Sequence, residues 1–213
     1  DYDAHLKLSV PHIYLLRLGM ITDTLSLASN IYLHFNTNKK FTAYSLNGSI
    51  RDNYFTTPRM GAQAKDIYLD FGTNRDTTTA MVSAGDLYLN LGAKGDVPYL
   101  IKDLTRFATE LGKELKTYNL DQEKLKTILP HINLKLRAGQ SNPLYNLAHM
   151  KGYTFNSAYI DLQANPTVGM KGDARMGAIL VGALLLDTVD MHIYQDSTGV
   201  KMEGYVKNNR KTP

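Results

Sequence analysis

Asp66-Ile67-Tyr68-Leu69-Asp70-Phe71-Gly72-Thr73-Asn74 carries a large apolar residue at every second position and closes on turn residues. That is the period of a β-strand, whose successive side chains point to opposite faces, so the stretch predicts a strand apolar on one side only. The pattern recurs upstream in Asn30-Ile31-Tyr32-Leu33-His34-Phe35-Asn36-Thr37-Asn38. It recurs downstream in Asp86-Leu87-Tyr88-Leu89-Asn90-Leu91-Gly92-Ala93-Lys94. A strand repeated in this way extends one apolar face from strand to strand. Two readings of that face follow: a core filled by other protein, as between the sheets of a sandwich, or a curved sheet lining a groove for acyl chains.

Working outward, residues 1–97 read as strands. Leu6, Leu8 and Val10 alternate with polar neighbours, and residues 13–18 are an apolar run with a turn near Gly19. Phe41–Leu46 is a further strand, ended by the hairpin signal Asn47-Gly48. Residues 51–64 read as a loop, and Arg75–Gly85 holds one more strand around Thr79, Met81 and Ser83.

The period changes at residue 96. Asp96 caps, Pro98 stands near the first helical position, and Leu100, Leu104, Phe107, Leu111 and Leu115 recur at spacings of three and four. Asn119 opens a second helix, with Gln122 in the capping-box position and a stop near Pro130. Residues 98–129 therefore form a helical hairpin.

Strands return with Ile132, Leu134, Leu136 and Ala138. Asn142-Pro143 then starts a short helix over 143–151, ended near Gly152. The remainder is strands: Tyr159–Ala164, Met170–Met176, 178–186, 189–193 and 200–206. Turns fall at Asn165-Pro166, Asp187-Thr188 and Asp196–Gly199. The residues give a fold class that is mainly β: residues 1–213 as one elongated β-rich domain with a helical hairpin inserted, its apolar face either a packed core or an open groove.

Composition narrows the function. With no cysteine among 213 residues, disulfide and thiolate chemistry is excluded, and an oxidising compartment fits. The net charge of +4 is scattered rather than clustered, which argues against nucleic acid. The longest apolar run, Ala178–Leu186, is too short to span a bilayer. No signal peptide is visible and residue 1 is Asp, so an excised piece of a longer chain is expected.

No catalytic constellation converges. The histidines at 5, 12, 34, 131, 149 and 192 show no HxH, HxxxH or HExxH spacing, so no metal or cofactor is expected. Asp190 and His192 read as solvent-face residues, and Gly169–Asp173 lacks the spacing of a phosphate loop. Asn47-Gly48-Ser49 matches a glycosylation acceptor but reads as a turn. Tyr32, Tyr68 and Tyr88 lie opposite the aliphatic face, where they pack across strands or meet lipid or glycan.

The C-terminal half carries a resemblance. Its runs are Asn142-Pro143-Leu144-Tyr145-Asn146, Lys151–Phe155, Asn165-Pro166 with Gly169–Asp173, Leu186–Asp190, Gln195–Val200 and Val206–Pro213. Leu120-Asp121-Gln122 and Leu129-Pro130 stand upstream. Together they resemble the AsmA/TamB-like translocation and assembly proteins of Bacteroidetes-type Gram-negative bacteria. The resemblance covers about residues 95–213. It implies a large periplasmic protein anchored in the inner membrane, with an elongated, curved, antiparallel-rich sheet of half-pipe type and an apolar interior, associated with outer-membrane protein assembly and phospholipid transport. It implies no catalytic residues. Its partners would be phospholipid acyl chains or nascent outer-membrane proteins, and an outer-membrane barrel.

The expected function is accordingly non-enzymatic: an apolar β groove that guides lipid or nascent barrel strands. Its lining would be Ile31, Leu33, Phe35, Ile67, Leu69, Phe71, Leu87, Leu89, Leu91, Ile132, Leu134 and Leu136. The alternatives are a closed β-sandwich acting as scaffold or docking module without lipid, and a carbohydrate-binding β module using exposed tyrosines.

Overall fold

The computed structural model describes residues 1–14, 26–57, 61–117, 121–181, 184–196 and 199–208. These form one antiparallel sheet of 13 strands that does not close. In chain order they are β1 (Tyr2–Tyr14), β2 (Ser26–Thr37), β3 (Tyr44–Thr56), β4 (Gly61–Gln63), β5 (Ile67–Thr73), β6 (Thr77–Ala84), β7 (Leu87–Lys94), β8 (Ile132–Ala138), β9 (Tyr153–Thr154), β10 (Ser157–Asn165), β11 (Gly169–Val181), β12 (Leu184–Asp196) and β13 (Gly199–Lys207). Eleven of them follow one another across the sheet in chain order, while β4 pairs with β3 and β9 with β11. Each strand thus returns beside the one before it, the arrangement that short connections favour.

The helical hairpin does not interrupt the sheet. Helix α1 (Val97–Thr117) leaves after β7 and α2 (Gln122–Thr127) leads back to β8, yet β7 and β8 pair directly, with Leu89 opposite Leu136 and Leu91 opposite Leu134. The side chain of Asp96 accepts from the N–H of Tyr99 at 2.9 Å and caps α1 as its sequence implies. At α2 the cap differs from expectation. Asp121 accepts from the N–H of Lys124, while Gln122 accepts instead from the N–H of Val200 at the start of β13. Asn119 lies outside the described residues. The third helix, α3 (Pro143–Met150), is capped by Asn142, whose side chain accepts from the N–H of Tyr145 at 2.8 Å.

Several boundaries correct the sequence reading. Asn47-Gly48 is not a turn: β3 runs straight through it, with Asn47 opposite His34 and Gly48 opposite Leu33. The reversal comes earlier, where Asn38 accepts from the N–H of Thr42 and Phe41 takes a φ of 53°. Residues 51–56 belong to β3 rather than to a loop. Asp52, at a φ of 54°, takes up a register shift against β2, and Asn53 donates to the carbonyls of Ile50 and Lys65. Asp187-Thr188 lies within β12, because β11 and β12 are each 13 residues long and stay paired from Lys171–Tyr194 to Val181–Leu184. The turn expected near Gly19 lies outside the described residues.

Glycine inside a strand needs a reason, and close approach supplies it at two sites. A Cβ on Gly48 would stand 2.5 Å from the Leu33 side chain and 2.7 Å from the Tyr32 carbonyl oxygen. At Gly172 it would meet the Asp161 carbonyl oxygen at 2.8 Å. Gly92 has nothing within 4 Å of that position. Gly48→Ala should therefore cost about 1–3 kcal/mol, read as a lowered urea midpoint. Gly92→Ala should stay within about 0.5 kcal/mol of the parent protein.

Candidate functional site

Across the middle of the sheet, register carries the apolar parity of each strand onto the next. One line of directly opposed residues runs Leu6, Leu33, Gly48, Leu69, Val82, Leu89, Leu136, Ile160, Ala174, Met191, Gly204. A second, two residues along each strand, runs Ala4, Phe35, Leu46, Phe71, Ala80, Leu91, Leu134, Leu162, Gly172, Ile193, Met202. Neither line contains a charged or hydrogen-bonding side chain. At about 4.8 Å per strand, each spans roughly 50 Å of sheet.

All twelve residues named from the sequence lie on this face. Leu33, Leu69, Leu89 and Leu136 fall in the first line and Phe35, Phe71, Leu91 and Leu134 in the second. Ile31, Ile67, Leu87 and Ile132 flank the two lines. None of the twelve is buried; each is half-buried, while Tyr68, Asp70, Tyr88, Asn90, Lys135 and Arg137 on the reverse side are exposed. Exposure rises toward the sheet edges, to 46% at Leu8 in β1 and 68% at Met202 in β13. Among the described residues all strands belong to the one sheet, so no second sheet lies over the face. The aliphatic side chains of neighbouring strands stand beside one another, which leaves them half-buried rather than exposed.

Closure comes at the two margins where strands end. At one, Thr73 and Thr78 share a hydrogen bond of 2.8 Å, Thr78 donates on to the Gly95 carbonyl, and Leu125 and Leu129 of the hairpin are buried. Here the apolar stripe expected along α1 is only partly covered. Leu100 is buried, but Leu104 and Leu115 are exposed and Glu114 is buried. The reason is polar: Glu114 accepts from the N–H of Asp121, and Lys124 bridges Glu110 at 2.9 Å and Glu114 at 3.2 Å, fixing which side of α1 faces α2.

At the other margin, Phe55 and Ala64 form a small core against Leu27, Leu147 and Met150, so α3 covers the ends of β2 to β4. Asp86 ties this margin together by accepting from the Ser141 N–H at 2.9 Å and the Asn142 side chain at 2.6 Å. Burial pushes the Asp86 carboxyl up, but these donors outweigh it and hold its pKa below the ordinary value.

The reverse face is polar and laddered. Its tyrosines alternate with other residues along one line, Tyr32, Ser49, Tyr68, Ser83, Tyr88, Arg137, Tyr159. Lys7 and Arg51 each stand 5.4 Å from the Tyr32 ring. Arg175 pairs with Asp190, and His192 with Asp173 at 2.6 Å, placing Asp190 and His192 on the solvent side as their sequence implies. One cluster was invisible to sequence spacing. His5 and His34 are 29 residues apart, yet they oppose each other across β1 and β2 with Asp3 beside them. Motifs such as HxH and HxxxH are local spacings only, and this pair has none of them. Strand register, not local spacing, was the signal to read.

The chain matches no family model, and comparisons with curated proteins and with solved structures find no match.

The hairpin clamp titrates. Hydrogen bonds from Lys113 and Lys124 hold the Glu110 pKa down to about 2, against an ordinary 4.5. A depressed carboxylate pKa stabilises the folded state above the unfolded value and loses that contribution as pH falls through the folded one. Urea midpoints should therefore decline from pH 4.5 toward about 2, and Lys124→Met should flatten part of that decline.

Proposed function

We propose that this chain is a segment of an AsmA/TamB-like periplasmic bridge, anchored through its parent protein in the inner membrane, whose apolar trough guides phospholipid acyl chains toward the outer membrane. One observation supports the reading above all others: two unbroken lines of eleven apolar positions lie side by side on an open, half-buried face. Contiguous apolar surface of this extent marks a place where something else binds. Acyl chains suit it because they need no directional partner, and neither line offers one. Each methylene removed from water contributes about 0.8 kcal/mol.

Nascent outer-membrane strands are a less favoured cargo, because an incoming strand is held by backbone hydrogen bonds along a strand edge, which the side chains of the apolar face do not offer. An outer-membrane barrel would then be the acceptor at the far end of the bridge rather than the cargo. The proposed role is carriage, with no catalytic step.

Purified protein analysed by native mass spectrometry should carry co-purified phospholipid. Leu69→Glu and Leu134→Glu should each weaken acyl-chain binding by about tenfold or more, since a carboxylate against hydrocarbon costs more than 1.4 kcal/mol. Circular dichroism of each variant checks whether its strands are kept. Lipid retained undiminished by the folded double variant would refute the trough as the binding surface.

A further inference from the structure

The polar face holds one side-chain cluster that acyl carriage does not use. Asp3 and His5 are two residues apart in β1 and so share a face, and the register sets His34 of β2 directly opposite His5. Asp3 Oδ1 stands 2.5 Å from His34 Nε2, and Asp3 Oδ2 stands 3.7 Å from His5 Nε2. One ligating atom from each residue lies within 4.8 Å of the other two. We propose that Asp3, His5 and His34 bind one divalent transition-metal ion of the zinc class on the outer face of the β1–β2 pair.

The donor set fits. Two imidazoles and one carboxylate are a common ligand complement for zinc, leaving a fourth position for water or an incoming group. Tetrahedral ligation at about 2.0–2.1 Å sets donor atoms about 3.3 Å apart, between the two contacts observed. The backbone needs no change, because opposed residues on paired strands hold their Cβ atoms at about 5 Å. Only the rings must turn. They now stack at 4.3 Å and 3°, and the metal would lie in both ring planes. The torsion that turns them is broad and soft. The neighbouring cation, Lys7, is directed to the Tyr32 ring.

The histidine–aspartate contact elsewhere on this face lacks the third donor. His192 meets Asp173, and Glu203 is opposite it in register, but the Glu203 carboxylate accepts from the hydroxyls of Tyr194 and Tyr205. That makes His192 an internal control. An ion bound at the first cluster would also clip the outermost strand, β1, to the rest of the sheet.

Titration of the tag-free 213-residue chain with Zn²⁺ by calorimetry, and with Co²⁺ by visible absorption, tests the site directly. One ion per chain is expected, with the absorption of nitrogen- and oxygen-ligated Co²⁺. His5→Asn and His34→Asn should each weaken binding by about tenfold or more, while His192→Asn leaves it unchanged. All three residues are exposed or half-buried, so the variants test ligation rather than folding. Failure to bind Zn²⁺, binding that survives both His5→Asn and His34→Asn, or binding lost in His192→Asn would overturn the proposal.

Discussion

Antiparallel pairing ties the parity of each strand to that of its neighbour, and a slip of one residue would turn a whole strand's apolar set to the opposite face. Here the parity holds across ten successive pairings, from Leu6 opposite Leu33 to Met191 opposite Gly204. Everything else in the molecule follows from that. The two sides of the sheet acquire opposite chemistry, hydrocarbon on one and tyrosine, charge and amide on the other. Glycine stands at Gly48 and Gly172, where a side chain would collide with the neighbouring strand. The shifts at Val10/Ile13 and Ala28/Asn30 fall near strand ends, where they leave the two central lines intact.

The helices obey the same constraint by staying out of the pairing. Between β7 and β8 the chain makes an excursion of two helices and returns to the register it left, with Ala93 opposite Ile132. The excursion is fastened by polar contacts: Lys124 to Glu110 and Glu114 within it, and Gln122 to the backbone of Val200 at the sheet. Helix α3 and the Asp86–Asn142 contact do the equivalent work at the opposite margin. The centre of the apolar face is left half-buried, covered by neither excursion.

How much of this could be read from the sequence depends on the range of the interaction. Parity is local, so the division of Ile67, Leu69 and Phe71 from Tyr68 and Asp70 could be read directly, and in the structure the first three are half-buried and the other two exposed. Turns were less legible. Asn47-Gly48 carries the hairpin signal, yet β2 continues alongside it and the need for a small residue against Leu33 explains the glycine better. Asp187-Thr188 looked like a break because it is polar, but both residues stay half-buried within the ladder of β12. The stripe of α1 was legible as a period but not as a contact, since ion pairs with α2 decide which side is covered. The Asp3–His5–His34 cluster was not legible at all, because it exists only once β1 and β2 are in register.

The account rests on the apolar face being a surface that touches lipid while its neighbours one residue away do not. A photo-reactive side chain placed at Leu134, which faces the trough, and then at Lys135, which faces away, separates the two faces with a shift of a single residue. Irradiation of the protein with phospholipid, followed by mass spectrometry of the adducts, is the most direct measurement. Lipid adducts from position 134 and none from 135 are the predicted result. Equal labelling from both positions, or labelling from 135 alone, would contradict the account.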